Sequence, residues 1–239
     1  MYKNYVFDIY GTLVDIHTNE HELSTWQKLA DTLNFYGVNY SAEELQETYF
    51  AGCELQMEQG KAEFQYPEVD VVEIFRQICV NKGKKISKTL ATHLAQEFRA
   101  FSTQYIRLYD GVTETLAKLK KAGKKLFILS NAQSCFTHME ITRLGLRKYF
   151  DKIVYSSDCK CAKPDPKFFD MLLRTYNLNK KETVYIGNDA FSDVGGARNA
   201  KIDCLWIKTN LTGSDEPKFA PKYVIADGNF RDIPALLLK

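Results

Sequence analysis

From residue 105 onward the chain alternates short, almost continuous apolar runs with segments of helical periodicity, and few folds accommodate that order. The runs are "KKLFILS" (124–130), "KIVYSS" (152–157), "ETVYIG" (182–187), "DCLWIK" (203–208) and "KYVIAD" (222–227). "KNYVFDI" near the N-terminus joins them by its β-branched and aromatic content. Runs this short and apolar suit parallel strands buried on both faces. Between them, Val112, Leu116 and Leu119 line one helical face, as do Phe169, Leu172, Leu173 and Tyr176. The latter helix opens on Asp165-Pro166, an N-cap followed by proline in the first turn. Strand–helix alternation with right-handed crossovers predicts an α/β fold, a doubly wound parallel sheet whose chemistry lies at the carboxyl ends of its strands.

Residues 16 to about 104 break the alternation. One helical stripe is Leu23, Trp26, Ala30 and Leu33, a second is Val72, Phe75 and Cys79, and a long third runs Leu90, Leu94, Phe98, Phe101, Tyr105 and Leu108. "SAEELQ" at 41–46 begins with a good N-cap followed by acids. The expectation is a core of residues 1–15 plus 105–239, with an all-helical domain of residues 16–104 inserted after the first strand. The two linkers, near Val14–Thr18 and Ile106–Gly111, leave the insert free to close over the core by hinge motion.

Composition narrows the partners. The 239 residues carry 32 basic and 30 acidic side chains for a net charge of +2, no electrostatic footprint for nucleic acid or an anionic membrane. No run approaches the ~18 apolar residues of a membrane span, and "MYKNYVFDIY" reads as a strand and not a signal peptide. A cytoplasmic monomer or homodimer acting on a small molecule is expected. The cysteines at 53, 79, 135, 159, 161 and 204 read as reduced thiols. No second Cys/His pair accompanies "CKC" at 159–161 at zinc spacing.

The strand ends carry the chemistry. The first ends at Asp8, the second core strand presents Ser130 and Asn131, a later loop "CAKPDPKFF" carries Lys163, and "IGNDAFSD" presents Asn188, Asp189 and Asp193. In a doubly wound sheet these tips converge. Asp8 can attack phosphorus, or a carbon bearing a leaving group. Ser130 can donate to a transferring oxygen, and Lys163 can neutralise charge there. Asp8, Asp189 and Asp193 can hold Mg²⁺, a hard ion that prefers oxygen. Gly11 lets backbone approach a ligand closely. Each residue also has a plainer use: Asp193 as the cap of the helix "VGGARNA", Asp15 in the hinge, His17 and His21 as exposed histidines near the linker.

"DIYGT" at 8–12, "LSN" at 129–131, "KPDP" at 163–166 and "GNDAFSD" at 187–193 together resemble, in order, the four motifs of the haloacid dehalogenase-like hydrolase (HAD) superfamily. The resemblance spans the whole chain and implies a Rossmann-like core with a C1-type helical cap. It implies Asp8 as covalent nucleophile, with Tyr10, Ser130 and Lys163 beside it. Gly11, Thr12, Ser130, Asn131 and Lys163 are implied around the substrate. Mg²⁺ is implied on Asp8, the Tyr10 carbonyl and the fourth-motif residues Asn188, Asp189 and Asp193. Two residues depart from the phosphatase pattern. Position 10, usually an aspartate serving as general acid and base, is a tyrosine, typical instead of 2-haloacid dehalogenases. Asn188 stands where many relatives carry an acid.

Three functions follow: a Mg²⁺-dependent phosphatase or phosphotransferase, a metal-independent 2-haloacid dehalogenase, and a low-activity ligand-binding member. Tyr10 favours the second. The two acids of the fourth motif favour the first, as does the lack of an arginine in residues 16–35, where dehalogenases capture their substrate; Arg76 and Arg99 come late. Phosphoryl transfer is the favoured expectation. His17 or His21 is a candidate to replace the missing acid, though each reads first as an exposed histidine.

Overall fold

The computed structural model describes residues 1–238. Strands β1 (Asn4–Phe7), β4 (Lys125–Ser130), β5 (Lys152–Tyr155), β6 (Thr183–Gly187), β7 (Asp203–Ile207) and β8 (Tyr223–Ile225) form one sheet in the order β5-β4-β1-β6-β7-β8. Every neighbouring pair is parallel. β1, β4 and β6 are the central strands, and their apolar runs are buried on both faces, as continuous hydrophobicity requires. Helices α5 (Val112–Lys121), α6 (Ser134–Arg143), α7 (Ser156–Cys159), α8 (Pro166–Thr175), α9 (Gly195–Ala200) and α10 (Ile233–Leu237) connect and cover the strands. Two apolar clusters, one on each side of the sheet, are centred on Phe7, Ile128 and Ile186 and on Phe127, Tyr185 and Trp206.

The insert consists of α1 (Leu23–Phe35), α2 (Ala42–Gly60), α3 (Val71–Asn81) and α4 (Lys88–Ser102), packed on a separate core of Trp26, Leu29, Leu33, Leu45, Phe75 and Phe98. Ser41 caps α2 through the Glu44 N–H, as its sequence predicts. The third helical stripe overreaches. α4 stops at Ser102, and Thr103–Leu108 is strand β3, pairing antiparallel with β2 (Val14–Thr18) in the register Val14↔Leu108, Ile16↔Ile106. Tyr105 and Leu108 therefore belong to a ribbon. Over this stretch Ile106 and Leu108 alternate with the exposed Tyr105 and Arg107, a period of two that the longer helical stripe hides, and pairing with a partner 90 residues away in the chain decides for the strand. Both boundaries of the insert fall in this ribbon. The two linkers are thus one hydrogen-bonded unit, which Asp15 ties down by accepting from Asn210, Tyr105 and Arg107.

Candidate active site

β1 delivers Asp8 to the carboxyl edge of the sheet between β4 and β6. Its main-chain N–H continues the ladder to the Ile186 carbonyl at 3.0 Å, and its side chain is almost wholly buried. Oδ1 accepts from Ser130 Oγ at 2.8 Å and from Lys163 Nζ at 2.7 Å. Oδ2 receives only a long contact, 3.3 Å, from Thr12 Oγ1, which also lies 3.1 Å from Asn188 Oδ1. One oxygen is thus saturated and the other is not.

Lys163 Nζ has three protons and three acceptors: Asp8 Oδ1, Asp193 Oδ1 at 2.6 Å and the Tyr185 hydroxyl at 2.8 Å. Burial alone would lower its pKa, but Asp193 and Asp8 outweigh that and hold the ammonium above the ordinary lysine range. Burial pushes the Asp193 carboxyl up to about 6 against the opposing pull of Lys163. Tyr185, on β6, is the residue that sequence reasoning missed. Its hydroxyl, fully buried, accepts from Lys163 and lies within 3.0 Å of the Leu129 carbonyl and 2.9 Å of Asp193 Oδ1. It sits inside an apolar strand run where nothing in the pattern separates it from a core aromatic. The main chain of Lys163 is clamped by Asn131, which accepts from its N–H at 2.7 Å and donates to its carbonyl at 3.1 Å.

The fourth motif wraps the opposite wall. Asp189 caps the π-helical turn Ala190–Val194, accepting from Phe191 N, Ser192 N and Ser192 Oγ on Oδ1. Asp193, open in the sequence to capping α9, does not cap it; α9 follows Val194 with no side-chain cap. Asp193 Oδ2 instead accepts from the Asp189 N–H at 2.9 Å. Irregular π turns of this kind are frequent at functional sites. Gly11 has φ +79°, and a Cβ there would lie 2.4 Å from the Asn188 side chain, so glycine is required for the first and fourth motifs to meet.

Asp8, Tyr10, Ser130, Asn131, Lys163, Asn188, Asp189, Ser192, Asp193 and Leu211 enclose a cavity of about 220 Å³. Every expected catalytic or metal-binding residue lines it. Gly11 and Thr12 support the wall. His17 and His21 do not line it. They stack on Tyr105 and Phe50, at centroid distances of 6.0 and 4.8 Å.

Tyr10 points its hydroxyl away from this chemistry, donating to Glu140 and lying 3.0 Å from Thr137 Oγ1 on α6. The Glu140 carboxylate also pairs with Arg99 of α4, Nε to Oε1 at 2.7 Å. The guanidinium lies 5.1 Å from the centre of the Tyr10 ring and 4.9 Å from that of Phe136. Burial and Glu140 push the Tyr10 phenol far above its ordinary range although Arg99 opposes them, so it keeps its proton. Position 10 is thus a joint between core and insert, and Arg99, late in the insert, is the arginine that reaches it.

The oxygen donors suit a hard cation. Among the described residues no group of three or more His, Cys, Asp or Glu side chains is arranged to hold a metal. An ion in this cavity would draw on an amide and a main-chain oxygen besides carboxylate, with water completing its shell, as Mg²⁺ tolerates.

A family model described as haloacid dehalogenase-like hydrolase matches residues 5–207. The chain belongs to that family. It is 25% identical over 226 residues to pyrophosphatase PpaX of Oceanobacillus iheyensis, covering 94% of this chain and 92% of the relative. It is 28% identical over 154 residues to phosphoserine phosphatase of Thermus thermophilus, covering 64% and 60%. In three dimensions it resembles a 2-haloacid dehalogenase from Pseudomonas syringae, with a TM-score of 0.68, 22% identity and coverage of 100% and 99%. It also resembles a HAD phosphatase from Thermococcus onnurineus, with a TM-score of 0.64, 21% identity and coverage of 98% and 97%. At those identities the structural likenesses bear on the fold. Among the described residues no helix is long and apolar enough to cross a membrane.

Proposed function

We propose that this HAD hydrolase is a Mg²⁺-dependent phosphatase or phosphotransferase acting on a small phosphorylated metabolite. The observation that carries this reading is the charge of the cavity: Asp8, Asp189 and Asp193 face one cation, Lys163, among the residues that line it. Such a wall repels a phosphate, or a haloacid carboxylate, until a divalent cation is added. Asp8, the Tyr10 carbonyl and Asn188, with Asp189 beside them, would hold the ion, which would screen the nucleophile from an anionic substrate. Asp193, whose oxygens already serve Lys163, Tyr185 and the Asp189 N–H, holds the lysine and not the ion.

The Asp8 carboxylate attacks phosphorus, forming an O–P bond as the bond to the leaving oxygen breaks and that oxygen keeps the electron pair. Ser130 and Lys163 donate to the transferred group. Once Asp8 is esterified its charge is gone, and the Lys163 N–H that donated to it is free to donate to a phosphoryl oxygen. Water then cleaves the aspartyl phosphate, returning Asp8 and inorganic phosphate; in a phosphotransferase an acceptor hydroxyl takes the water's place. Tyr10 does not protonate the leaving oxygen, because its proton is committed to Glu140. Substrates whose leaving group departs unaided, acyl and aryl phosphates, are therefore favoured over alkyl phosphates.

A second reading, 2-haloacid dehalogenation, is favoured by Tyr10, since halide leaves without a proton. It lacks a receiving guanidinium: Arg99 is paired with Glu140, and Arg76 with Glu73 on the surface. A panel of acyl, aryl and alkyl phosphates and 2-haloacids, assayed with Mg²⁺ and with chelator, separates the two. Phosphate release that the chelator abolishes is expected. Halide release insensitive to chelator would replace this reading with the second.

A further inference from the structure

Besides the ribbon and the Arg99–Glu140 joint, the insert touches the core at a third place. Between α2 and α3 the chain runs beside the segment that leads into Lys163. The Glu68 N–H donates to the Lys160 carbonyl at 3.0 Å and the Ala162 N–H to the Tyr66 carbonyl at 2.8 Å, an antiparallel bridge centred on Pro67 and Cys161. The Gln65 N–H donates to Asp165 Oδ2 at 3.1 Å just beyond the lysine. Lys163 is thus bracketed on both sides by main-chain groups of the insert.

Glu68 anchors this contact. Its carboxylate, mostly buried, accepts from Ser156 Oγ, from Gln133 Nε2 at 3.3 Å and from the Val69 N–H at 3.0 Å. Ser156 Oγ in turn accepts from the Ala132 N–H at 2.8 Å. Ala132 follows Asn131, the residue that clamps the Lys163 main chain. Gln133 reads the insert again, donating to the Val69 carbonyl at 2.9 Å and accepting from the Val71 N–H. Two routes therefore run from Glu68 to Lys163, one through residues 160–162 and one through Ser156, Ala132 and Asn131. A buried carboxylate is costly unless its hydrogen bonds are made. None of those given by the core to Glu68 survives if the insert lifts away.

We propose that Glu68 is a positioning residue: it locks the 65–68 segment onto residues 160–162 and thereby fixes the loop that presents Lys163 to Asp8. The insert then completes the lysine's support, and it lifts only if that support breaks. The catalytic consequence rests on the phosphohydrolase reading above; the structural coupling does not.

Glu68→Ala tests it, with Glu68→Gln, which keeps the volume and one acceptor, as the milder variant. Hydrogen exchange on the full chain is the readout independent of activity. In Glu68→Ala the amides of 65–68 and of 160–165 should lose protection together, about tenfold, while β2 and β3 keep theirs. Glu68→Gln should fall between Glu68→Ala and the parent. With acetyl phosphate and Mg²⁺, kcat should drop about tenfold in Glu68→Ala with KM changed less than twofold, because misplacing a charge-stabilising group by a fraction of an ångström acts on the transition state. Unchanged protection of 160–165 while 65–68 opens would overturn the coupling whatever the protein turns over. Coupled exchange with kcat unchanged on a phosphate that the parent hydrolyses would overturn the catalytic role. Coupled exchange in a protein that hydrolyses no phosphate would leave the coupling standing and count against the phosphohydrolase reading alone.

Discussion

Two buried charge clusters flank the first motif, and they are built to opposite ends. At the sheet edge, Asp8 and Asp193 share Lys163, and Asp189 adds a further acid to the cavity they line. At the seam, Arg99 and Glu140 balance one another and take in the Tyr10 hydroxyl. The first cluster is left with excess negative charge and one weakly engaged oxygen, on Asp8, beside a cavity. The second closes on itself. A buried ion pair with its partners satisfied is neutral architecture; one left unbalanced beside open space is poised for a ligand. Tyr10 belongs to both, through its carbonyl at the site and its phenol at the seam.

The difference can be tested from its largest effect downward. Asp8→Asn should abolish turnover, on the order of 10⁴-fold or more, with the fold intact by circular dichroism, and a mass adduct trapped on the parent at Asp8 should be absent. Retained activity would remove the nucleophile and with it the distinction between the clusters. Lys163→Met should cost about 3–5 kcal/mol in urea unfolding, because it leaves Asp8 and Asp193 buried without a partner. The loss should shrink when Mg²⁺ is added, if an ion can take over part of the neutralisation. Arg99→Met should cost about 3 kcal/mol by unstitching the seam, yet leave kcat for acetyl phosphate within about threefold of the parent. A collapse of kcat would place Arg99 in the chemistry and revive a role in substrate capture. Tyr10→Asp should raise hydrolysis of an alkyl phosphate relative to acetyl phosphate by about 10²-fold, the contribution of a positioned acid. No gain on any phosphate would mean that the seam and not the missing acid limits the reaction.

Much of this was legible in the chain. Asp8, Ser130, Lys163 and Asp193 follow apolar strand runs directly or at a short distance, and parallel strands on one sheet must end on the same edge, so convergence followed from topology. Asp165-Pro166 marked the start of α8, and Ser41 that of α2. What could not be read was side-chain direction. Tyr10 has the spacing of a catalytic residue, and its phenol turns to α6. Tyr185 has the spacing of a core residue, and its hydroxyl meets the lysine. Tyr105 and Leu108 continue a helical stripe in sequence and lie on a strand.

The layer architecture and the strand ends that meet at one edge of the sheet could be read from residue order, because they depend on local periodicity and on the identity of residues that follow each strand. The tertiary structure alone decided which acid caps and which one pairs: Asp189 closes the π turn and Asp193 holds Lys163. It also decided that Arg99 is spent on Glu140, and that the Glu68 carboxylate reaches across to Ser156 and Gln133 of the core. Each of these rests on partners 2 to 88 positions apart competing for the same protons, a competition settled by burial and geometry rather than by the order of residues.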